Sequence, residues 1–398
     1  MADDAPDPDE ELIGEVAPPL KPKPKVLKKL RPWHRPRKTF VRAHQWNSLI
    51  EAEVLKKRSG VRAAEPLRML GLPSGDYLDL LTLDELCGKY DVQVLYMGFN
   101  AEADTGGVRQ PIRLSGIIGL TESHVDRRSI LVPDWFEELR HAETMPNKAL
   151  RNFGGFDVVN LDLCGHIVDM NPNKAGNTLA ALLTLFEQQA QVHPHPWLLF
   201  LTTYSDPPQI SHAALLKVLR LVATNSTTHN DFKTELEQFY PNAPTVLPTL
   251  SQNSPPVIPQ NDHNCLMTLA ISKWVLRCLA YELKAATVEL LDSYCYRPED
   301  VPDPKLLSLA FLVKPVPPPA LKKDPADVIS RKTVDVPIDY PLCAKRLIKK
   351  AYGLTDLDSF ISGDTALRDE LVAATRQMLI DRDFDPEEVD TFLQTHPT

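Results

Sequence analysis

Apolar residues fall along this chain in two alternating patterns: short unbroken runs that end in polar, turn-forming clusters, and longer stretches where they recur every three or four positions. The first is the pattern of a strand buried on both faces, the second that of a helix with one apolar stripe. Residues 67–72 form the first run, stopped by Pro73-Ser74-Gly75-Asp76, and residues 77–87 then read as a helix. Residues 92–99 are a second strand ending at Gly98-Phe99-Asn100, and residues 129–132 a third, with Asp134 just beyond. The fourth, residues 156–163, leads into Cys164-Gly165, and Leu179, Leu182, Leu183 and Phe186 follow at helical spacing. The fifth, residues 197–201, stops at Thr202-Thr203-Tyr204-Ser205-Asp206, after which Leu215, Val218, Leu219 and Val222 repeat the stripe. Five such β–α units predict an α/β protein with a doubly wound, mostly parallel sheet.

Later the pattern changes. Residues 241–262 carry six prolines, which predicts a loop or lid. Leu266, Leu269, Ala270, Leu276, Leu279, Ala280 and Leu283 then mark a long helix, followed by two strand candidates at 287–296 and 306–316. A proline-rich linker at 317–341 leads into a helical C-terminal appendage at 342–398. There Asp385 supplies an N-cap, Pro386 the first helical position and Glu388 the third residue after the cap.

Composition adds size and solubility. A chain of 398 residues, 43% hydrophobic and 24% charged, has room for one large domain with an appendage or for two domains. Its apolar runs are broken well short of the roughly 20 residues that cross a bilayer, and no charged-then-apolar leader opens it, so a soluble, cytoplasmic protein is expected. Six cysteines without C-x-x-C spacing suggest neither a zinc site nor a disulfide framework.

Charge is segregated within the net −9. Residues 3–15 hold seven acids and no base, whereas residues 21–50 hold ten Lys or Arg and no acid. Residues 1–31 are therefore expected to be a disordered tail, because such a segment cannot bury enough apolar surface. Residues 32–65 differ in kind, interleaving Arg35, Arg37, Lys38 and Arg42 with Trp33, Phe40 and Trp46. That mixture binds phosphates and stacks on bases in single-stranded nucleic acid. It equally suits an arm that docks through its aromatics while the cations stay in water.

The richest chemistry lies where the strands end. Asn160 and Asp162 close the fourth strand with polar atoms, as expected where a parallel sheet delivers side chains to a ligand. They either contact a ligand or tie down the loops of the edge. Thr202 and Thr203, ending the fifth strand, can orient a substrate or cap the next helix. His193-Pro194-His195 reads as a surface turn, and Gly106-Gly107 as a flexible one.

From residue 66 to 316 the order of elements resembles an S-adenosylmethionine-dependent methyltransferase of the Rossmann-like kind. Pro32-Trp33-His34-Arg35-Pro36-Arg37-Lys38 with Gln45-Trp46, Asn160-Leu161-Asp162-Leu163-Cys164 and Leu201-Thr202-Thr203 resemble, more narrowly, an uncharacterised bacterial family of about this length. The first resemblance implies a seven-stranded sheet whose last strand enters antiparallel. It also implies a cofactor, S-adenosylmethionine, over Gly71 and Gly75, with Asn100 and Asp134 beside it and Asn160 and Asp162 as catalytic residues. Cys164 is an alternative there, as a nucleophile. The activity implied is methyl transfer to nucleic acid, or to a nucleic-acid-associated partner, with the arm and Thr202 and Thr203 on the substrate; the alternative is a catalytically inactive binding module. The chain departs from the pattern at Pro73, which removes an amide donor from the glycine turn, at Asn100, where an acid is usual, and after Asp162, where two prolines are missing.

Overall fold

A computed structural model describes residues 28–101, 111–114, 124–163, 165–168, 178–205, 212–249, 258–298, 303–316, 338 and 340–398. The expected acidic tail, Gly106-Gly107, Cys164 and most of the 317–341 linker lie outside the described residues. The chain builds a mixed α/β structure around one central sheet. Its strands are β1 (Leu67–Gly71), β2 (Val94–Phe99), β3 (Ile112–Arg113), β4 (Ile130–Val132), β5 (Val158–Asp162), β6 (Trp197–Tyr204), β7 (Ala286–Leu290), β8 (Tyr294–Tyr296), β9 (Leu306–Pro315) and β10 (Thr355–Asp356). They lie in the order β10-β8-β9-β6-β5-β1-β2-β4-β3, with β7 also paired to β9. The block from β4 to β6 is parallel, and β9 enters antiparallel to β6.

The sheet thus has ten strands rather than the expected seven. Two of the additions, β3 and β10, are only two residues long and carry no hydrophobic run that a sequence could announce. The third comes from residues 287–296, read as one strand, which divide into β7 and β8. Leu290 pairs with Phe311 and Tyr294 with Ser308, so three residues face two across the gap, as in a β-bulge. The fifth strand also runs further than its apolar run, because Thr202, Thr203 and Tyr204 pair with Ser308, Leu307 and Leu306 of β9. The proline-rich stretch at 241–262 is not all loop either: it contains the helix Ala243–Thr249 and, behind Pro259, the start of the helix Gln260–Leu276.

Alternation along each strand sorts the core onto two faces. Leu70, Met97, Val159, Leu199 and Phe311 pack under the helices Met145–Phe153, Thr178–Val192, His212–Thr228 and Gln260–Leu276. Met69, Tyr96, Val158, Phe200 and Ala310 pack on the other side against Phe40, Val41, Trp46 and Ile50 of the N-terminal arm. The arm is a helical run from Pro36 to Glu53 whose middle, Val41–Asn47, widens into a π-helix. The C-terminal helices pack on the body: Leu347 and Ile348 join the first core, Leu357, Ile361 and Leu371 the second, and Leu379, Val389 and Leu393 a small third one with Leu78. The helix Pro386–Thr395 starts as its sequence implies, with the Asp385 carboxylate accepting from the amides of Glu387 and Glu388. No helix among the described residues is long and apolar enough to cross a membrane.

Candidate functional site

The chain leaves β1 for β2 on one side and later adds β5 on the other, so the order of the sheet reverses between β1 and β5. The carboxyl edge at such a reversal opens into a crevice, because the connections on its two sides run to opposite faces. Gly71 of β1 is the register partner of Asn160 of β5, and Asp162 is that of Thr202 on β6. By the two-residue period, Gly71, Asn160, Asp162 and Thr202 all face the side covered by the arm. Thr203 points the other way, where its hydroxyl accepts from the Ile167 amide at 2.8 Å and holds the loop after β5.

The arm lies across this edge, and its cations are inside the protein. Arg35, Arg37, Lys38 and Arg42 are each at most 4% exposed. The Lys38 ammonium sits 2.7 Å from the Asp162 carboxylate and 4.5 Å from the centre of the Trp46 ring. Arg42 pairs with Asp79 at 2.6 Å and donates to the Trp33 carbonyl. Arg37 pairs with Asp358 at 3.0 Å and donates to the main-chain oxygens of Arg297 and Thr398. His34 reaches Asp76 at 3.1 Å while its other ring nitrogen accepts from the Arg31 amide, which assigns the proton to Nε2. Burial holds that imidazole below its ordinary value, and the His34 bond lowers the Asp76 carboxyl in turn. The structure thus places the cations expected to meet nucleic acid inside the protein. Arg37, Lys38 and Arg42 are neutralised by acids of the body, Arg35 is buried with them, and of the five arm residues expected to touch nucleic acid only Trp33 stays exposed.

Three of the four residues expected to hold a cofactor are engaged within the protein. A Cβ on Gly71 would lie 2.5 Å from the Tyr96 hydroxyl, so this glycine makes room for a buried phenol of the neighbouring strand rather than for a ligand. The Asn100 amide donates to the Pro73 carbonyl at 3.1 Å, pinning the glycine turn to the end of β2. Asp134 accepts from the Trp135 amide at 2.8 Å and serves the turn after β4. Gly75 is exposed, and a Cβ there would meet nothing within 4 Å. The residues at the ends of β1 and β2 thus do not fit S-adenosylmethionine in this arrangement.

Beneath the arm, four polar atoms are buried without a hydrogen-bond partner among the described residues: Asn160 Oδ1, Thr202 Oγ1, Tyr296 Oη and Trp46 Nε1. All belong to residues on the arm-covered side of the sheet or to the arm itself, and Trp46 packs against Phe200, the register partner of Asn160. Burial pushes the Tyr296 phenol well above its ordinary value, with the nearby Asp162 adding to it, so it stays a neutral hydroxyl. Such atoms can hydrogen-bond a neutral ligand or a bridging water. Tyr296 and Tyr96 escape sequence reasoning because their polar ends are invisible within apolar runs. A basic run packed by aromatics demands counter-charges, but no local signal singles out Asp76, Asp79 and Asp358 as the acids that supply them.

Other candidates resolve elsewhere. His193, read as part of a surface turn, is buried beside Asp157 at the opposite end of β5 and pushed down to about 4 by burial. A cleft of about 720 Å³ lies away from the sheet edge, between the helices His212–Thr228, Asn230–Phe239 and Ala243–Thr249. No cluster of three or more metal-ligating side chains occurs among the described residues.

Fold and edge together define a mixed α/β protein whose central, mostly parallel sheet is roofed at its carboxyl end by its own N-terminal arm. The chain matches the model of the PP_RS20740-like family over residues 27–394 and belongs to that family. No curated protein matches it.

Proposed function

We propose that this chain is a methyltransferase-like binding module that does not transfer methyl groups. Support for the methyltransferase-like part comes from the strand order β4-β2-β1-β5-β6-β9-β7, with β9 alone antiparallel to its neighbours on both sides. Support for the non-catalytic part comes from one contact above all: the Lys38 ammonium on the Asp162 carboxylate, locked by the Trp46 ring. A segment that buries Val41 and Ile50 in the core does not lift off for each turnover. The carboxylate that would face a substrate is held by the protein itself, and the ends of β1 and β2 are closed by Tyr96 and Asn100.

The test is isothermal titration of the full chain with S-adenosylmethionine at millimolar concentration. The expected result is no binding heat. Saturable heat that disappears in Asn160→Ala would overturn the proposal. It would install a second reading, a divergent methyltransferase, which the unpartnered Asn160 and Thr202 atoms favour. Nucleic acid as substrate rested on the arm, and its buried, paired cations withdraw that support. Binding of single-stranded nucleic acid is accordingly expected to be weak and its salt slope unchanged by Arg42→Ala. Were Arg42 neutralising a phosphate, the substitution would flatten that slope by roughly 0.7.

A further inference from the structure

Lys273 lies near the end of the helix Gln260–Leu276, wholly buried, and its Nζ has no hydrogen-bond partner among the described residues. That nitrogen sits 4.8 Å from the centre of the Phe232 ring and 5.4 Å from that of Tyr340. Phe232 belongs to the helix Asn230–Phe239, and Tyr340 opens the helix Tyr340–Ala351. One amine therefore joins three helices, the last of which begins the C-terminal region. A buried ammonium is normally held by a carboxylate, because ring faces alone return only part of its lost hydration.

The charges around this joint leave the amine alone. On its own element, Arg277 lies one turn further and pairs with Glu282 at 2.9 Å, and burial pushes the Cys278 thiol up to about 12, so that group is neutral. On the C-terminal helix, the Tyr340 phenol is raised by burial and is neutral too, while Lys345 pairs with Glu235 of Asn230–Phe239 at 3.5 Å. The helix His212–Thr228 contributes Lys217 and Arg220, both exposed, and β7 contributes Glu289, paired with Lys314. Burial, aided by Arg277, pushes the Lys273 amine down to about 7.

We propose that Lys273 is a pH-sensitive lock between the C-terminal helix Tyr340–Ala351 and the body. Uncharged, its side chain packs as an apolar stem between Phe232 and Tyr340; when the helix opens, the rehydrated amine takes up a proton. In the open form it titrates near the ordinary lysine value of about 10.4. Between about pH 7 and 10 the open form thus binds a proton that the closed form does not. Closure tightens as pH rises through that window, and it is weakest and pH-independent below about 7.

Hydrogen exchange of the amides in Tyr340–Ala351, corrected for chemical exchange rates, reads the opening equilibrium. Protection in the wild-type chain is expected to fall by roughly tenfold from pH 9 to pH 8 and to level off toward pH 7. Lys273→Met should raise protection at pH 7.5 and abolish the pH dependence. Flat wild-type protection from pH 7 to 9, or an unchanged slope in Lys273→Met, would overturn the lock. A lysine 13Cε titration of the wild-type chain tests it independently of how the variant folds. One resonance should titrate near pH 7, and its absence, with every lysine titrating near the ordinary value, would rule the proposal out.

Discussion

Lys38 and Asp162, 124 positions apart in sequence, meet at 2.7 Å, so the arm and the end of β5 form one electrostatic unit. Lys38 is buried, whereas about a fifth of the Asp162 side chain reaches solvent. Removing one partner leaves the other charge uncompensated, and the more deeply placed ammonium suffers more.

Asp162→Asn is therefore expected to destabilise the protein by roughly 2–4 kcal/mol, less than the roughly 3–5 kcal/mol for breaking a fully buried pair because the carboxylate is partly exposed. Lys38→Met in the same background should restore most of the loss. Urea unfolding of the two single variants and the double variant checks this. A near-zero effect of Asp162→Asn would mean that Asp162 is a free ligand group and that the arm is not fixed there.

Gly71 and Gly75 separate packing from binding. Gly71→Ala puts a methyl group 2.5 Å from the Tyr96 hydroxyl and should cost about 1–3 kcal/mol, as overpacking does. Tyr96→Phe added to it should recover part of that loss. Gly75→Ala meets no neighbour within 4 Å and should stay within about 0.5 kcal/mol of wild type. Thermal melts of the three variants decide. If Gly71→Ala melted like wild type, the glycine would be there for something other than Tyr96.

Thr202 places an unpartnered hydroxyl in a buried row beside Asp162. Replacing a buried, unsatisfied group by an apolar one of the same shape is neutral or stabilising. Thr202→Val should thus leave stability unchanged or raise it by about 1 kcal/mol, measured by denaturant midpoint at constant slope. A clear loss would reveal that the hydroxyl is bridged through water to a partner that matters for the fold.

The strands that carry the site are legible because each is a buried apolar run closed by turn-forming residues: Leu67–Gly71, Val94–Phe99, Val158–Asp162 and the start of Trp197–Tyr204 all appear where the pattern puts them. The end of β6 is not, since Thr202 and Thr203 are strand residues only because β9 pairs with them, a contact about a hundred residues away. The arm misleads for a related reason. Its cations read as a surface because cations are almost never buried unless paired, and the pairing acids come from three distant places: Asp79, Asp162 and Asp358. Local sequence holds the charge of a segment but not the identity of its neighbours. Likewise Asn160 stands at the carboxyl edge as its strand pattern implies, but whether its Oδ1 finds a partner is decided by residues distant in sequence, and among the described residues it finds none.

Besides His34, two further buried histidines lie below their ordinary value, and they are shifted far enough to set the acid limit of the fold. Burial pushes His166 down to about 3 and His193 down to about 4, and His166 Nδ1 accepts from the Val168 amide at 3.0 Å, a bond that a protonated ring cannot make. Both are therefore neutral in the folded chain and titrate near 6.5 once unfolded. As pH falls below about 6.5 the unfolded state takes up protons first, so stability is full above that value. It is lost progressively down to about pH 4 for His193 and about pH 3 for His166. Between pH 7.5 and 5 the loss should be on the order of 2 kcal/mol per histidine, from the linkage of proton uptake to unfolding. His193→Gln should remove its share of this slope and leave that of His166, which denaturant midpoints at pH 7.5, 6 and 5 will resolve. A wild-type midpoint that does not move over this range would show that both rings are already reached by solvent, and with them the two ends of β5.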